Sequence, residues 1–169
     1  LLAIWDDNDY GMNDGDRTFA LKEKSTEVFY SFFAQKNRAL GFERGPGISS
    51  VWAAFGVNFV LLDNRTFRSP DGLDINDQTH FGPDQESWLS ALLEKSADPL
   101  IAVSGDQFFG GYHKFESYEG NHPKSFALSV AQWKKVLREP LVFVSGDRHL
   151  SEIIKVPKEV LGFPTYELT

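Results

Sequence analysis

Leu141-Val142-Phe143-Val144-Ser145-Gly146-Asp147-Arg148-His149 sets an apolar run against a glycine turn and then a set of polar, charge-bearing side chains. Four apolar residues are too few for a helix and suit a short buried strand. Gly146 lets the backbone turn sharply where the strand ends. Asp147 and His149 could then both face a metal ion, with Glu152 orienting the imidazole from behind. The plainer alternative is a histidine held by a neighbouring carboxylate. Upstream, the same plan recurs. Leu100-Ile101-Ala102-Val103 leads into Ser104-Gly105-Asp106, Phe59-Val60-Leu61-Leu62 into Asp63, and Leu1-Leu2-Ala3-Ile4-Trp5 into Asp6-Asp7. Each apolar run predicts a strand, and the fully apolar ones predict burial on both faces.

Between these runs lie polar loops and amphipathic stretches. A helix is expected over about 17–34, capped by Asp16. Strands are expected at Ser50–Phe55 and Asn58–Leu62, joined by Gly56-Val57. Pro83 opens a helix to about Ser96, with Trp88, Leu89, Leu92 and Leu93 on one face. A further helix runs from about Lys124 to Leu137. Weaker strands close the chain near Ile153–Val156 and Tyr166–Leu168. Strand, loop and helix in repetition mean α/β architecture. In such sheets a ligand sits beyond the carboxyl ends of the strands, which is where the aspartates fall. The loops 63–82 and 107–123 are longer than a compact domain needs.

Composition narrows the function. The chain has 169 residues, 41% hydrophobic and 14% aromatic, so it can bury a single-domain core. A net charge of −7 and a pI near 5.0 argue against a nucleic-acid backbone as partner. They leave a phosphate substrate open, since bound cations reverse the sign of a local site. There is no cysteine, hence no disulfide, thiolate ligand or cysteine nucleophile. No membrane-spanning run and no signal peptide are visible. Nucleophile-elbow and phosphate-loop motifs are absent. Because the chain opens on Leu1 inside an expected strand and stops inside another, it is expected to be a fragment of a larger domain.

Four constellations carry candidate chemistry. Asp6-Asp7-Asn8-Asp9 crowds carboxylates that either hold a hard cation or cap turns in a solvated loop. Asp147 and His149 form the second. The third is Asp63-Asn64-Arg65-Thr66-Phe67-Arg68: Arg65 could grip a phosphate or pair with a nearby carboxylate, and Arg68 is expected at the surface. The fourth is the loop with Asp106, Tyr112 and His113, either a substrate wall or a packed aromatic loop. His80 and His122 stand alone and are expected at the surface or as caps.

Taken in order, these blocks resemble the PhoD-like alkaline phosphatase and phosphodiesterase family. The family's metal loop, Trp-Asp-Asp-His-Asp/Glu, stands here as Trp5-Asp6-Asp7-Asn8-Asp9. Its Asp-x-Arg-x-x-Arg matches Asp63 to Arg68. Its Gly-x-x-Gln-x-x-Trp-Leu helix matches Gly82 to Leu89, and its Ser-Gly-Asp-x-His matches Ser145 to His149. The resemblance implies a calcineurin-like metallophosphoesterase fold, a two-sheet sandwich flanked by helices. This chain would be the C-terminal portion of that domain, over residues 1–169. It further implies hydrolysis of phosphomonoesters or phosphodiesters by in-line attack of a metal-bound hydroxide, with iron and calcium or another metal pair, outside the bacterial cytoplasm. Carried onto this sequence, Asp7, Asp147 and His149 would be metal ligands, with Asp6, Asp9 and Glu152 supporting them. Asn8 and Arg65 would be catalytic, and Arg65, Tyr112 and His113 would touch substrate. Two departures accompany the match. The family's earlier Gly-Asp-x-x-Tyr-x-Asp ligand segment is absent, and Asn8 replaces a histidine. Asn cannot deliver a proton at neutral pH, and such acid help is worth roughly 10²–10⁴-fold in rate. A half-sheet exposes edges and apolar surface, which could drive self-association or pairing with the missing N-terminal half.

Overall fold

A computed structural model describes residues 1–71, 76–96, 98–112, 116–137 and 140–169. The elements in chain order are α1 (Asp7–Tyr10), α2 (Lys22–Phe32), a 3₁₀ turn (Arg38–Leu40), β1 (Phe42–Arg44), β2 (Ser50–Ala54), β3 (Val57–Leu61), α3 (Gly82–Lys95), β4 (Leu100–Val103), α4 (Tyr118–Asn121), α5 (Pro123–Val136), β5 (Leu141–Val144), β6 (Ile153–Val156), α6 (Lys158–Leu161) and β7 (Thr165–Leu168).

The described strands form one seven-stranded sheet in the order β1-β2-β3-β4-β5-β7-β6. Its centre is parallel: β3 pairs β4, β4 pairs β5, and β5 pairs β7. Antiparallel hairpins close both edges. The long crossovers that parallel pairing demands are supplied by α3 and by α4–α5. Three of the four expected strand ends, those of β3, β4 and β5, therefore lie at one edge; the fourth parallel strand is β7, because residues 1–5 join no strand.

One face of this sheet carries the core. Val60, Ala102 and Phe143 lie side by side in register and pack with Leu89 and Leu93 of α3, Trp133 of α5 and Leu161 of α6. Burial alternates along β4 and β5: Leu100, Ala102, Leu141 and Phe143 are buried, whereas Ile101, Val103, Val142 and Val144 are only half-buried. In β3 the expected burial on both faces holds at Val60 and Leu61, while β4 and β5 are fully buried on one face only. The helices cover one face, and the other is apolar but thinly covered. A second, aromatic cluster joins Trp5, Tyr10, Phe29, Tyr30 and Ile48.

The opening run is the main departure from the sequence pattern. Residues 1–5 join no strand, although Trp5 is fully buried. Trp5 packs edge-on against Tyr10 and Phe29, so an apolar run here seals an aromatic cluster instead of adding to the sheet. The helix expected over 17–34 is shorter, Lys22–Phe32.

Candidate metal centre

The edge where the parallel strands end is built around Asp63, immediately after β3. Its carboxylate is fully buried and accepts five bonds. Oδ1 takes Trp5 Nε1 (2.9 Å), Arg65 N (3.1 Å) and Thr66 N (3.0 Å). Oδ2 takes Ile48 N (3.0 Å) and the Thr66 hydroxyl (2.6 Å). Its backbone is held by Gln85 of α3, which donates to Asp63 O at 2.7 Å and accepts from Asp63 N at 2.8 Å. A carboxylate satisfied this fully stabilises a loop and has no capacity left for a ligand. Its work is to tie the Trp5 segment to the strand ends.

That segment then crosses β4's end. A Cβ on Gly105 would lie 2.3 Å from Trp5 O and 2.9 Å from Asp6 Cβ, so only glycine admits the close approach. Gly105 O in turn accepts Gly146 N at 3.0 Å. Through these contacts Asp6-Asp7 and Asp147 meet. One carboxylate oxygen from each of Asp6, Asp7 and Asp147 lies within 4.8 Å of the other two.

Each member is positioned differently. Asp6 is gripped by Arg65, Nε to Oδ1 at 2.6 Å and Nη2 to Oδ2 at 2.8 Å, and accepts Asn64 Nδ2 at 2.5 Å. Burial opposes the charge on Arg65, but its bonds to Asp6 outweigh that and hold the guanidinium protonated. Asp7, buried in α1, accepts the Asn8 amide N at 2.7 Å and Asn8 Nδ2 at 3.1 Å on Oδ1, and Asp14 N at 2.8 Å on Oδ2. Asp147 sits at φ +67° and His149 at φ +53°, both in the left-handed region that non-glycine residues seldom occupy. Strain of this kind collects at functional loops. Burial, then the charges of Asp6 and Asp7, push the Asp147 carboxyl up to about 7.

Three mutually repelling carboxylates, all oxygen donors, fit a hard divalent or trivalent cation. A bound cation would offset the repulsion that raises Asp147. The donor set differs from the expected one in two respects: Asp6 stands within it, and His149 lies outside it at an exposed position. Asp9 is exposed and accepts Asp6 N at 3.5 Å. Glu152 does not back His149 in the way foreseen; its Oε2 takes Gln107 Nε2 (3.0 Å) and the Tyr112 hydroxyl (2.5 Å). Arg65 is corrected as a phosphate-gripping group. Nε and Nη2 are committed to Asp6, Nη1 lies 3.4 Å from Gly15 O, and the residue is buried. Tyr112 is largely exposed at the rim, and His113 lies outside the described residues.

Behind the edge runs a polar network that the sequence reading misplaced. Arg68 is expected at the surface, and His80 and His122 at the surface or as caps; all three are buried, and His122 does cap, ending α4 and opening α5. Arg68 Nη1 pairs with Asp106 Oδ2 at 2.7 Å. Although burial opposes its charge, His80 and Arg68 hold Asp106 well below the usual carboxylate range. Burial lowers both histidines, His122 to about 3. His80 Nε2 lies 3.1 Å from Asp106 Oδ1, and His122 Nδ1 lies 3.1 Å from His80 Nδ1, with the donor in each contact set by the tautomer. Asp106 is therefore an anchor for the Gly105 turn. No sequence signal links these residues, because the partners lie 26 to 42 positions apart.

No protein-family model and no curated protein matches the sequence. The chain is similar to the solved structure of PhoD, with a TM-score of 0.72 over 97% of its own length and 18% identity. It spans 38% of the PhoD chain. At that identity the likeness is one of fold: the seven-stranded sheet and its helices have the architecture of a portion of PhoD.

Proposed function

We propose that this chain is part of a PhoD-like metallophosphoesterase domain that hydrolyses phosphate mono- or diesters. The observation carrying the proposal is the cluster of Asp6, Asp7 and Asp147 at the carboxyl edge of a PhoD-like sheet. Bound there, a cation supplies Lewis acidity and an activated water for in-line displacement at phosphorus. The chain's own residues do the rest. Arg65 and Asn64 fix Asp6, Asp14 N and Asn8 fix Asp7, and the left-handed turn at Asp147 presents the third carboxylate.

The wider reading follows the same likeness. The half-buried sheet face with Ile101, Val103, Val142 and Val144 suits the second sheet of a calcineurin-like sandwich, contributed by the remainder of a longer domain or by self-association. His149 and Glu152 would join the centre once further ligands are supplied, and Tyr112 and His113 would face the phosphoester. Iron with calcium is the metal pair the family suggests. An extracytoplasmic location accords with that family, and no described helix is long and apolar enough to cross a membrane.

A second reading rests on Asn8. It is exposed beside Asp7 and its amide is bonded to that carboxylate, so it holds a ligand in place but has no proton to deliver. A domain that keeps the cation and has lost turnover would look like this. Assay of nitrophenyl phosphate and bis(nitrophenyl) phosphate hydrolysis with iron plus calcium, or with Mn²⁺, separates the two. Turnover that Asp7→Asn abolishes supports the enzyme. Cation binding without turnover, recovered in Asn8→His, supports the impaired domain, and no cation binding under any condition sinks both.

A further inference from the structure

Arg148 stands between Asp147 and His149 and belongs to none of the arrangements above. It is 8% exposed, in a chain whose charge is −7. Among the described residues its Nε and Nη1 have no hydrogen-bond acceptor. Nη1 approaches Glu116 Oε2 at 3.1 Å without hydrogen-bond alignment, and the Glu116 side chain is 47% exposed. The guanidinium carbon lies 5.6 Å from the centre of the Tyr112 ring. Buried arginines are normally paired or fully bonded, because an unsatisfied buried donor is costly. Glu152, the other carboxylate on this side, is already occupied by Gln107 and Tyr112.

We infer that Arg148 is the anion-binding residue of the site, whose unsatisfied guanidinium takes a non-bridging oxygen of a phosphate group held beside the Asp6–Asp7–Asp147 cluster. The inference rests on the phosphoesterase reading for its substrate class. It assigns to Arg148 the part that Arg65 cannot play. Chain connectivity keeps Arg148 next to a cation ligand. The left-handed residues on either side of it, at φ +67° and +53°, fix the turn that carries it. Tyr112 supplies a flat face that limits the guanidinium's rotation, so less freedom is lost when the anion binds. Glu116 is a half-exposed partner that an incoming phosphate can displace, since pairs of this kind contribute little.

The test titrates inorganic phosphate into the Mn²⁺-loaded and the Mn²⁺-free protein by calorimetry, for wild type, Arg148→Ala, Arg148→Gln and Arg148→Lys. Arg148→Gln keeps the stem that packs on Tyr112, and a thermal melt shows that each variant is folded. Phosphate affinity is expected to fall at least tenfold in Arg148→Ala and Arg148→Gln, less in Arg148→Lys, and to recover in part with added guanidinium. Affinity for Mn²⁺ should stay within twofold. If hydrolysis is measurable, KM for nitrophenyl phosphate rises more than kcat falls. Phosphate affinity unchanged in the folded variants overturns the inference, as does a wild type that binds no phosphate, or a Mn²⁺ affinity that falls in parallel. Arg148-dependent phosphate binding in a wild type that turns over no ester upholds the inference while the enzymatic reading fails. Turnover with Arg148 silent does the reverse.

Discussion

Arg65 spans both carboxylate oxygens of Asp6, at 2.6 Å from Nε and 2.8 Å from Nη2, although 59 positions separate the two residues. A bidentate pair of this kind fixes the direction as well as the charge of the carboxylate. It places a counter-charge against one member of a mutually repelling trio. Arg65→Ala leaves Asp6 without its counter-charge next to Asp7 and Asp147. Removing one partner of a buried pair typically costs about 3–5 kcal/mol. The urea midpoint is therefore expected to fall sharply, and Mn²⁺ affinity with it. Arg65→Lys keeps the charge but loses the fork, so stability should recover more than cation affinity.

Cation binding should be steeply pH-dependent. The Asp147 carboxyl is raised from the ordinary value of 3.8 to about 7, by burial and then by Asp6 and Asp7. In the cation-free protein the folded state thus holds a proton that the unfolded chain has released. Stability falls as pH rises from about 4 to about 7. A cation must displace that proton, so Mn²⁺ affinity should climb through pH 5.5–7 and level off above. Calorimetry in buffers of different ionisation enthalpy should show about one proton released near pH 6. Asp147→Asn removes the slope together with most of the affinity. A flat affinity profile across this range would contradict the arrangement.

Gly105 offers a test of how the segments are held together. An added Cβ would meet Trp5 O at 2.3 Å, Asn64 Oδ1 at 2.9 Å and Asp6 Cβ at 2.9 Å. Two of these obstacles cannot move without carrying Asp6 with them. Gly105→Ala is expected to cost about 1–3 kcal/mol by overpacking and to weaken Mn²⁺ binding by more than its effect on stability would suggest. Denaturant titration and calorimetry on the same sample separate the two effects.

The particular residues show what could be read from the sequence and what could not. Leu100–Val103 and Leu141–Val144 announced themselves as strands because four apolar residues ending in Ser-Gly-Asp leave little else to form. The helix Gly82–Lys95 was legible from its apolar face and from Pro83 at its start, and Pro123–Val136 from its apolar residues, one residue longer at its start than the sequence suggests. Leu1–Trp5 misled because an apolar run suits a strand or the lid of an aromatic cluster equally well, and only Tyr10 and Phe29 decide between them. Of the three clustered carboxylates, Asp7 and Asp147 were legible in the sequence as candidates. The place of Asp6 was not, because it depends on Arg65. Likewise the burial of His80 depends on Asp106, which local sequence cannot reveal.

Asp63 tests whether the edge has a structural keystone distinct from the clustered Asp6, Asp7 and Asp147. All five of its donors are at 2.6–3.1 Å, and three are backbone amides, of Ile48, Arg65 and Thr66. Asn is the same size but has only one acceptor oxygen. Its amide nitrogen must face donors on one side, whichever way it is flipped. With the oxygen toward Trp5, Arg65 and Thr66 N, the Ile48 amide is left unsatisfied and opposed. With the oxygen the other way, three donors are lost. Each unsatisfied buried donor costs about 1–3 kcal/mol, so Asp63→Asn should destabilise by at least about 2 kcal/mol even in its better orientation. Asp7→Asn also gives up an acceptor, the one that holds Asp14 N, but it relieves a repelling group of carboxylates, so it should cost less than Asp63→Asn in the cation-free protein while abolishing Mn²⁺ binding. Urea titrations of the two variants with and without Mn²⁺ separate the two roles. Asp63→Asn should lose more baseline stability but keep the increment that Mn²⁺ adds, and Asp7→Asn should lose less baseline stability but the whole of that increment.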